Sequence, residues 1–137
     1  MEKHFLGKVA AKALIAKGEE VLMVRDSGKD SAMWDLPGGK INVDESIEAG
    51  LRREIKEELG IDINVDSLIC SEQVLHKGEG VKYLFITLRA TLSNPNSSFD
   101  LQPEEIGEIK WFDKNALNEI KMYENCTRAL EIYWGSK

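Results

Sequence analysis

The sequence predicts a layered α/β domain. Segments with strand character lie on both sides of helical segments along the chain, and this order is typical of a sheet packed against helices. The chain has 137 residues, close to the commonest domain size, so we expect one domain over residues 1–137. Hydrophobic residues make up 42% and charged residues 31% of it, as in an ordinary protein with a single core.

The first predicted elements form a hairpin. Residues 9–16 and 20–25 read as strands joined by a turn at residues 17–19, and the run from Val21 to Val24 is too uniformly apolar for an exposed strand. Residues 26–32 read as a polar loop. The segment 34–44 then passes through a Pro-Gly-Gly turn into the next helix.

A short helix follows this turn. Ile47, Leu51 and Ile55 recur at helical spacing and form an apolar ridge that should face the core. Ser46 is suited to cap its amino end, and Gly60 is suited to end it.

The second half of the chain is predicted to be mostly strands, with helices at the end. Residues 76–80 and 93–98 have the composition of loops, and Asp113 is expected to cap a short helix. The predicted strands are 61–65, 68–74, 81–92 and 109–112, and the predicted final helix is 125–134.

Three carboxylates crowd the helix that follows the Pro-Gly-Gly turn. Glu54 and Glu58 lie one turn apart at the edge of the apolar ridge, and Glu57 lies beside them. An ordinary amphipathic helix would place Leu or Val at position 58. Like charges at this spacing destabilise a helix, so we expect a cation to offset them.

A metal ion is the cation that this pattern favours. Oxygen ligands suit a hard divalent ion such as Mg²⁺ or Mn²⁺, which shares its shell with substrate phosphates. Glycine destabilises the middle of a helix, so Gly50 indicates that a ligand or another backbone comes close there. Arg52 or Arg53 is the alternative cation, in which case the cluster is an acidic helix surface.

Residues 39–61 carry a family pattern, G-x5-E-x7-R-E-U-x-E-E-x-G-U, where U is aliphatic. On these residues the chain resembles the Nudix (MutT-like) hydrolases, and residues 34–38 are similar to the segment that leads into this Nudix box. Asp44 and Arg52 depart from the usual pattern. The fixed positions are met by Gly39, Glu45, Arg53, Glu54, Ile55, Glu57, Glu58, Gly60 and Ile61.

The resemblance implies an α/β/α sandwich with a mixed sheet, in which the Nudix box is a loop-helix-loop. It also implies a Mg²⁺-dependent hydrolase that cuts a pyrophosphate bond in a nucleoside diphosphate derivative. By this resemblance the metal ligands are the side chains of Glu54, Glu57 and Glu58 and the carbonyl of Gly39. A nucleotide-binding sensor domain without turnover is the alternative.

The resemblance also assigns supporting roles. Glu45 and Arg53 are expected to pair and to orient the ligands. The general base is either Glu54 or a carboxylate from a later loop, with Glu105 the first choice there. Arg25 has the geometry to grip a substrate phosphate. The remaining candidates for the later-loop base are Glu104 and Glu108.

The substrate is less closely defined by the sequence. A nucleoside or deoxynucleoside triphosphate is weakly favoured, and residues 26–33 and 76–82 are expected to shape the base pocket. Trp34 and Tyr83 are candidates to stack on a base, although core packing is the favoured interpretation.

Charge and cysteine usage limit the possible partners. The net charge of −6 argues against a surface for nucleic acid polymers. Cys70 and Cys126 are isolated and are expected to be buried thiols. The amino-terminal apolar stretch is interrupted by lysines, so neither a signal peptide nor a membrane segment is predicted, which favours a cytoplasmic protein. A homodimer is possible.

Overall fold

The computed structural model describes residues 3–28 and 32–135. Within these ranges the chain forms seven strands and three helices. In chain order they are β1 (Gly7–Lys17), β2 (Glu20–Asp26), β3 (Trp34–Asp35), β4 (Gly38–Lys40), α1 (Ile47–Leu59), β5 (Ile63–His76), β6 (Val81–Leu92), β7 (Ile106–Phe112), α2 (Ala116–Glu119) and α3 (Glu124–Gly135).

Strand β1 lies at the centre of the sheet. It pairs in parallel with β6, and its other edge pairs antiparallel with β4 near the start and with β2 near the end. Strand β2 also pairs with β3 and β7, and β5 pairs with β6. The sheet is therefore mixed, as predicted.

Two hydrophobic clusters lie on opposite faces of this sheet. Along β1, Ile15 belongs to the cluster under α1, whereas Leu14 belongs to the cluster under α3. The same alternation continues on β2, since Leu22 joins the first cluster and Met23 the second. Both faces of the apolar hairpin are thus buried, and the predicted α/β/α sandwich is confirmed.

Helix α1 begins and ends where the sequence predicts. The Ser46 hydroxyl accepts a hydrogen bond from the Ala49 N–H at 3.1 Å, which satisfies a free donor of the first turn. Gly60 takes a left-handed conformation with φ of 68°, and its N–H donates to the Lys56 carbonyl. The ridge residues Leu51 and Ile55 are fully buried in the first cluster.

The structure corrects one strand prediction and one turn prediction. Residues 61–65 and 68–74 do not form separate strands, because β5 runs continuously and absorbs two register shifts, between Val65 and Leu68 and between Leu68 and Cys70. The Pro-Gly-Gly segment is not a simple turn. Its glycines begin β4, which pairs with β1 in the register Lys12 to Gly38.

Two smaller predictions also change, and a third lies partly outside the described residues. Asp113 does not cap α2. Asn115 holds the cap position, and the Asp113 carboxylate accepts from its N–H at 2.9 Å. Cys126 is buried as expected, but Cys70 is only partly buried. The predicted loop 26–32 includes residues 29–31, which lie outside the described residues.

The final helix, α3, agrees with the prediction to within one residue at each end. No helix in the described part of the chain combines the length and apolar character needed to cross a membrane.

Candidate active site

Two glycines of β4 bring α1 against the sheet. A Cβ on Gly39 would lie 2.5 Å from Cδ of Glu54, so a side chain at position 39 would displace this carboxylate. The Gly38 N–H donates to Oε1 of Glu58 at 3.3 Å. Gly38 has a φ of 146°, and a Cβ there would collide with the Ala11 carbonyl. The glycine pair therefore places both carboxylates beside the backbone of β4.

Arg53 is the cation within the acidic cluster. Its Nε and Nη2 donate to the two oxygens of Glu45 at 3.0 and 2.6 Å, and its Nη1 lies 3.2 Å from an oxygen of Glu54 and of Glu57. The two-point pair with Arg53 lowers the pKa of Glu45 to about 2, and it raises the pKa of Arg53. Arg52 lies elsewhere and pairs with Glu48.

Glu54 and Glu58 are less hydrated than Glu57. The Glu54 side chain is 17% exposed, whereas that of Glu57 is 60% exposed. Burial raises the pKa of Glu58 to about 7, although the Lys12 ammonium acts in the opposite direction. Burial also raises the pKa of Glu54. Carboxyl groups with a pKa raised in this way are common at functional sites.

Lys12 and Asp35 form an ion pair that the sequence reasoning missed. The Lys12 Nζ donates to Asp35 Oδ2 at 3.0 Å, and both side chains are largely buried. Burial alone would lower the pKa of Lys12, but the Asp35 carboxylate and, more weakly, Glu58 raise it overall. A signal was available, since Lys12 is the one charged residue in the apolar run 9–16.

Lys12, Asp35 and Glu58 border a cleft of about 340 Å³, which we call the carboxylate cleft. Glu54 does not line the cleft; it lies against Gly39, which follows the lining residue Gly38. The residues that line the cleft include Lys12, Asp35, Gly38, Glu58, Glu104 and Glu105.

Arg25 and Glu108 lie outside the lining of the carboxylate cleft. Their side chains form an ion pair with each other, across the pairing of β2 with β7. The Arg25 guanidinium also lies 4.9 Å from the ring centre of Trp34. Of the later-loop carboxylates, Glu104 and Glu105 reach the cleft and Glu108 does not.

The donor set fits a hard divalent ion. Glu54, Glu57 and Glu58 offer only oxygen, and the absence of a side chain at Gly39 lets the Glu54 carboxylate lie against the backbone of β4. Within residues 3–28 and 32–135, no three His, Cys, Asp or Glu side chains already converge as a metal-binding group. In this structure an oxygen of Glu54 and one of Glu57 each lie 3.2 Å from Nη1 of Arg53.

Comparison with known proteins agrees with this geometry. The model of the NUDIX domain family matches residues 7–130. The chain belongs to the Nudix family. A CTP pyrophosphohydrolase of Escherichia coli (strain K12) is 37% identical over 67 residues, which cover 48% of this chain and 50% of that protein. An NAD-capped RNA hydrolase of Stutzerimonas stutzeri is 26% identical over 126 residues, covering 88% of this chain and 42% of that protein.

The Nudix domain spans between about a third and a half of the first curated relatives that it matches. Among solved structures, a MutT NUDIX hydrolase from Burkholderia pseudomallei is 25% identical with a TM-score of 0.77, covering 90% of this chain and 95% of that one. A MutT protein from Methanosarcina mazei shares the fold, with a TM-score of 0.78 over 98% of this chain and 97% of that one.

Proposed function

We propose that this Nudix domain hydrolyses a pyrophosphate bond in a nucleoside diphosphate derivative, with Mg²⁺ as cofactor. The observation that carries the proposal is the placement of Glu54 and Glu58, two poorly hydrated carboxylates, beside the backbone of Gly38 and Gly39. Such a pair is costly unless a cation joins it, and a phosphate-bound metal ion is the cation that this family uses.

Glu54, Glu57, Glu58 and the Gly39 carbonyl would hold the ion, and Mn²⁺ is expected to replace Mg²⁺. When bound, the ion neutralises charge on phosphate oxygens and lowers the pKa of a bound water. Arg53, itself held by Glu45, orients Glu54 and Glu57.

The chain supplies two candidates for the general base. Glu54 is also one of the proposed ligands, and Glu105 lines the carboxylate cleft from the loop before β7. Either carboxylate would take a proton from the attacking water. Lys12 lies in the cleft as a fixed positive charge and is suited to receive a substrate phosphate. Arg25 can bind a substrate phosphate only if its side chain leaves Glu108.

The favoured substrates are nucleoside and deoxynucleoside triphosphates. The similarity to a CTP pyrophosphohydrolase supports this choice, as does that to a nucleoside triphosphatase, NudI, of an Enterobacter species, 26% identical over 111 residues. A net charge of −6 favours small nucleotides over long polyanions. Capped RNA belongs in the test, because relatives named for RNA caps also match.

The direct test is chromatographic separation of the products formed from a panel of nucleotides with and without Mg²⁺, because cleavage of a pyrophosphate bond can release pyrophosphate or a nucleoside monophosphate rather than phosphate. The panel holds the four ribonucleoside triphosphates, their deoxy forms, ADP-ribose and a capped RNA. We expect Mg²⁺-dependent turnover of at least one triphosphate, abolished by a chelator. Binding of nucleotide by folded, Mg²⁺-loaded protein without any turnover would instead favour the sensor alternative.

Single substitutions on α1 test the ligand assignment. Glu57→Gln and Glu58→Gln should each lower kcat/KM at least about a hundredfold, because metal binding is weakened. Glu48→Gln is the matched control, since Glu48 lies on the same helix and pairs with Arg52. Near-normal activity in both ligand variants would refute the assignment.

A further inference from the structure

Strand β5 forms one outer edge of the sheet. It is the longest of the described strands, with 14 residues, and among these strands it pairs only with β6. Residues 70–76 pair with β6 without a register shift, so every second residue of this segment directs its backbone N–H and C=O away from the sheet. A regular edge of this kind is a template for another strand.

Exposed apolar side chains accompany this edge. Leu68 and Leu75 are 60% and 56% exposed. Leu68 lies opposite Leu88, which packs against the α1 cluster, and Leu75 lies on the same face as Leu84 and Ile86 of β6. Leu84 and Ile86 are only partly buried, so α1 does not fully cover this end of the sheet. Clustered exposed apolar residues are typical of a surface that binds another protein.

Charges of opposite sign stand at the two ends of β5. Residues 61–67 hold two exposed aspartates and no basic residue. Residues 76–82 hold two exposed lysines, and the acidic residue there, Glu79, already accepts a hydrogen bond from Lys8 at 2.6 Å. The edge therefore runs from negative to positive along the chain. The residues that carry these charges are Asp62, Asp66, Lys77 and Lys82.

We propose that a second copy of this chain binds along the edge of β5. A two-fold axis near Gln73 pairs residues 70–76 of the two copies antiparallel, so that the sheet continues from one copy into its partner. Each acidic end then meets the partner's basic end, and the attraction acts twice. A parallel arrangement would bring like charges together. The charge pattern therefore favours a second copy in the antiparallel orientation.

This inference does not rest on the proposed function. The residues that line the carboxylate cleft come from other parts of the chain than β5 and β6. Association along β5 therefore leaves both carboxylate clefts open, and it can be measured without nucleotide or metal.

Sedimentation velocity of the whole chain tests the association directly. Over about 1–200 µM protein we expect dimers to increase with concentration, as for an interface of modest size. Growth should stop at two chains, because a two-fold contact is closed. A monomer at every concentration would overturn the proposal, and so would growth beyond two chains.

Leu68→Gln combined with Leu75→Gln tests the apolar part of the edge. Both side chains are more than half exposed, so the single chain should keep its fold, which circular dichroism would check. The dissociation constant should rise at least about tenfold, since each leucine counts twice in a two-fold interface. Leu6→Gln is the matched control, because Leu6 is 88% exposed and adjoins β1, which β6 separates from β5. A dimer that only the control weakens would overturn the proposal.

A charge exchange tests the antiparallel orientation. Asp66→Lys brings like charges together at one end, and Lys77→Glu combined with Lys82→Glu does so at the other. Each protein alone should dissociate about tenfold more readily in low salt. An equal mixture should form a heterodimer, because opposite charges then meet at both ends. Glu131→Lys on α3 is the control for the change in net charge and should leave the dimer intact. A mixture that binds no better than its components would overturn the orientation.

Amide hydrogen exchange locates the contact. Raising the concentration of the wild-type protein should slow exchange in residues 70–76, because their outer amides become hydrogen-bonded. Exchange in β3, at the other end of the sheet, should not change and is the internal comparison. Unchanged exchange in residues 70–76 of a dimeric sample would overturn the pairing of the edges.

Discussion

Replacing Gly39 with alanine puts a methyl group where the Glu54 carboxylate now lies. The added Cβ would be 2.5 Å from both Cδ and Oε2 of Glu54, whereas carbon atoms in contact are about 3.5–4.0 Å apart. The carboxylate must therefore retreat by about 1 Å. A displacement of this size at a reacting group costs on the order of a hundredfold in rate, so kcat/KM should fall by about that factor.

The same substitution should hardly affect folding. Gly39 does not have a positive φ, so alanine is compatible with its backbone, and the group that must move is the end of a side chain. We expect the free energy of unfolding to change by less than about 1 kcal/mol. The rate of nucleotide hydrolysis at saturating Mg²⁺ and urea denaturation measure the two effects on one preparation.

Gly135→Ala is the matched control, since a Cβ there would meet nothing within 4 Å. Activity of Gly39→Ala within about threefold of the wild type would refute the reasoning, because a hundredfold loss is expected from the displaced carboxylate. A large loss of stability in Gly39→Ala would also refute it, because the added methyl group would then disturb the fold and not only the Glu54 carboxylate.

Three further predictions concern stability and local order. Glu45 has a pKa of about 2 in the fold against 4.5 ordinarily, so its pair with Arg53 stabilises fully above about pH 4.5 and progressively less as the pH falls towards 2. The difference in unfolding free energy between the wild type and Glu45→Gln should shrink over that range, and a constant difference would contradict the pair. Leu51→Ala should cost about 2–5 kcal/mol in urea denaturation, because Leu51 is fully buried, and a cost below about 1 kcal/mol would be inconsistent with that burial. Glu79 accepts hydrogen bonds from Lys8 and Tyr83, and Glu79→Gln weakens both contacts. Amide hydrogen exchange should therefore quicken in residues 76–80, and unchanged exchange would show that these contacts do not order that segment.

The limits of α1 were predictable because its signals are local. Ser46 and Gly60 act on backbone groups within four residues of themselves, so the sequence alone predicts both caps. The position of Glu58 at the edge of the apolar ridge follows from helical spacing in the same way. Gly50 indicated a close approach, and the structure shows side chains there, since a Cβ would meet Ile41 and Glu45.

The unpredicted features depend on contacts between distant residues. Whether β5 is one strand or two is decided by its pairing with β6, where shifted registers let the chain continue past Val65. Lys12 reaches the cleft because β1 pairs with β4 in the register Lys12 to Gly38. Asp35 is its partner through the position of β3, which pairs with β2. Local periodicity carries none of this information.

Helix α1 supplies the proposed metal ligands on one edge and Leu51, Ile55 and Leu59 to the core on another. The helix cannot detach from the sheet without opening that core. Heating should therefore not inactivate the protein before it denatures: residual activity, plotted against temperature, should superimpose on the loss of tertiary structure. Activity would then serve as a probe of global folding in this protein.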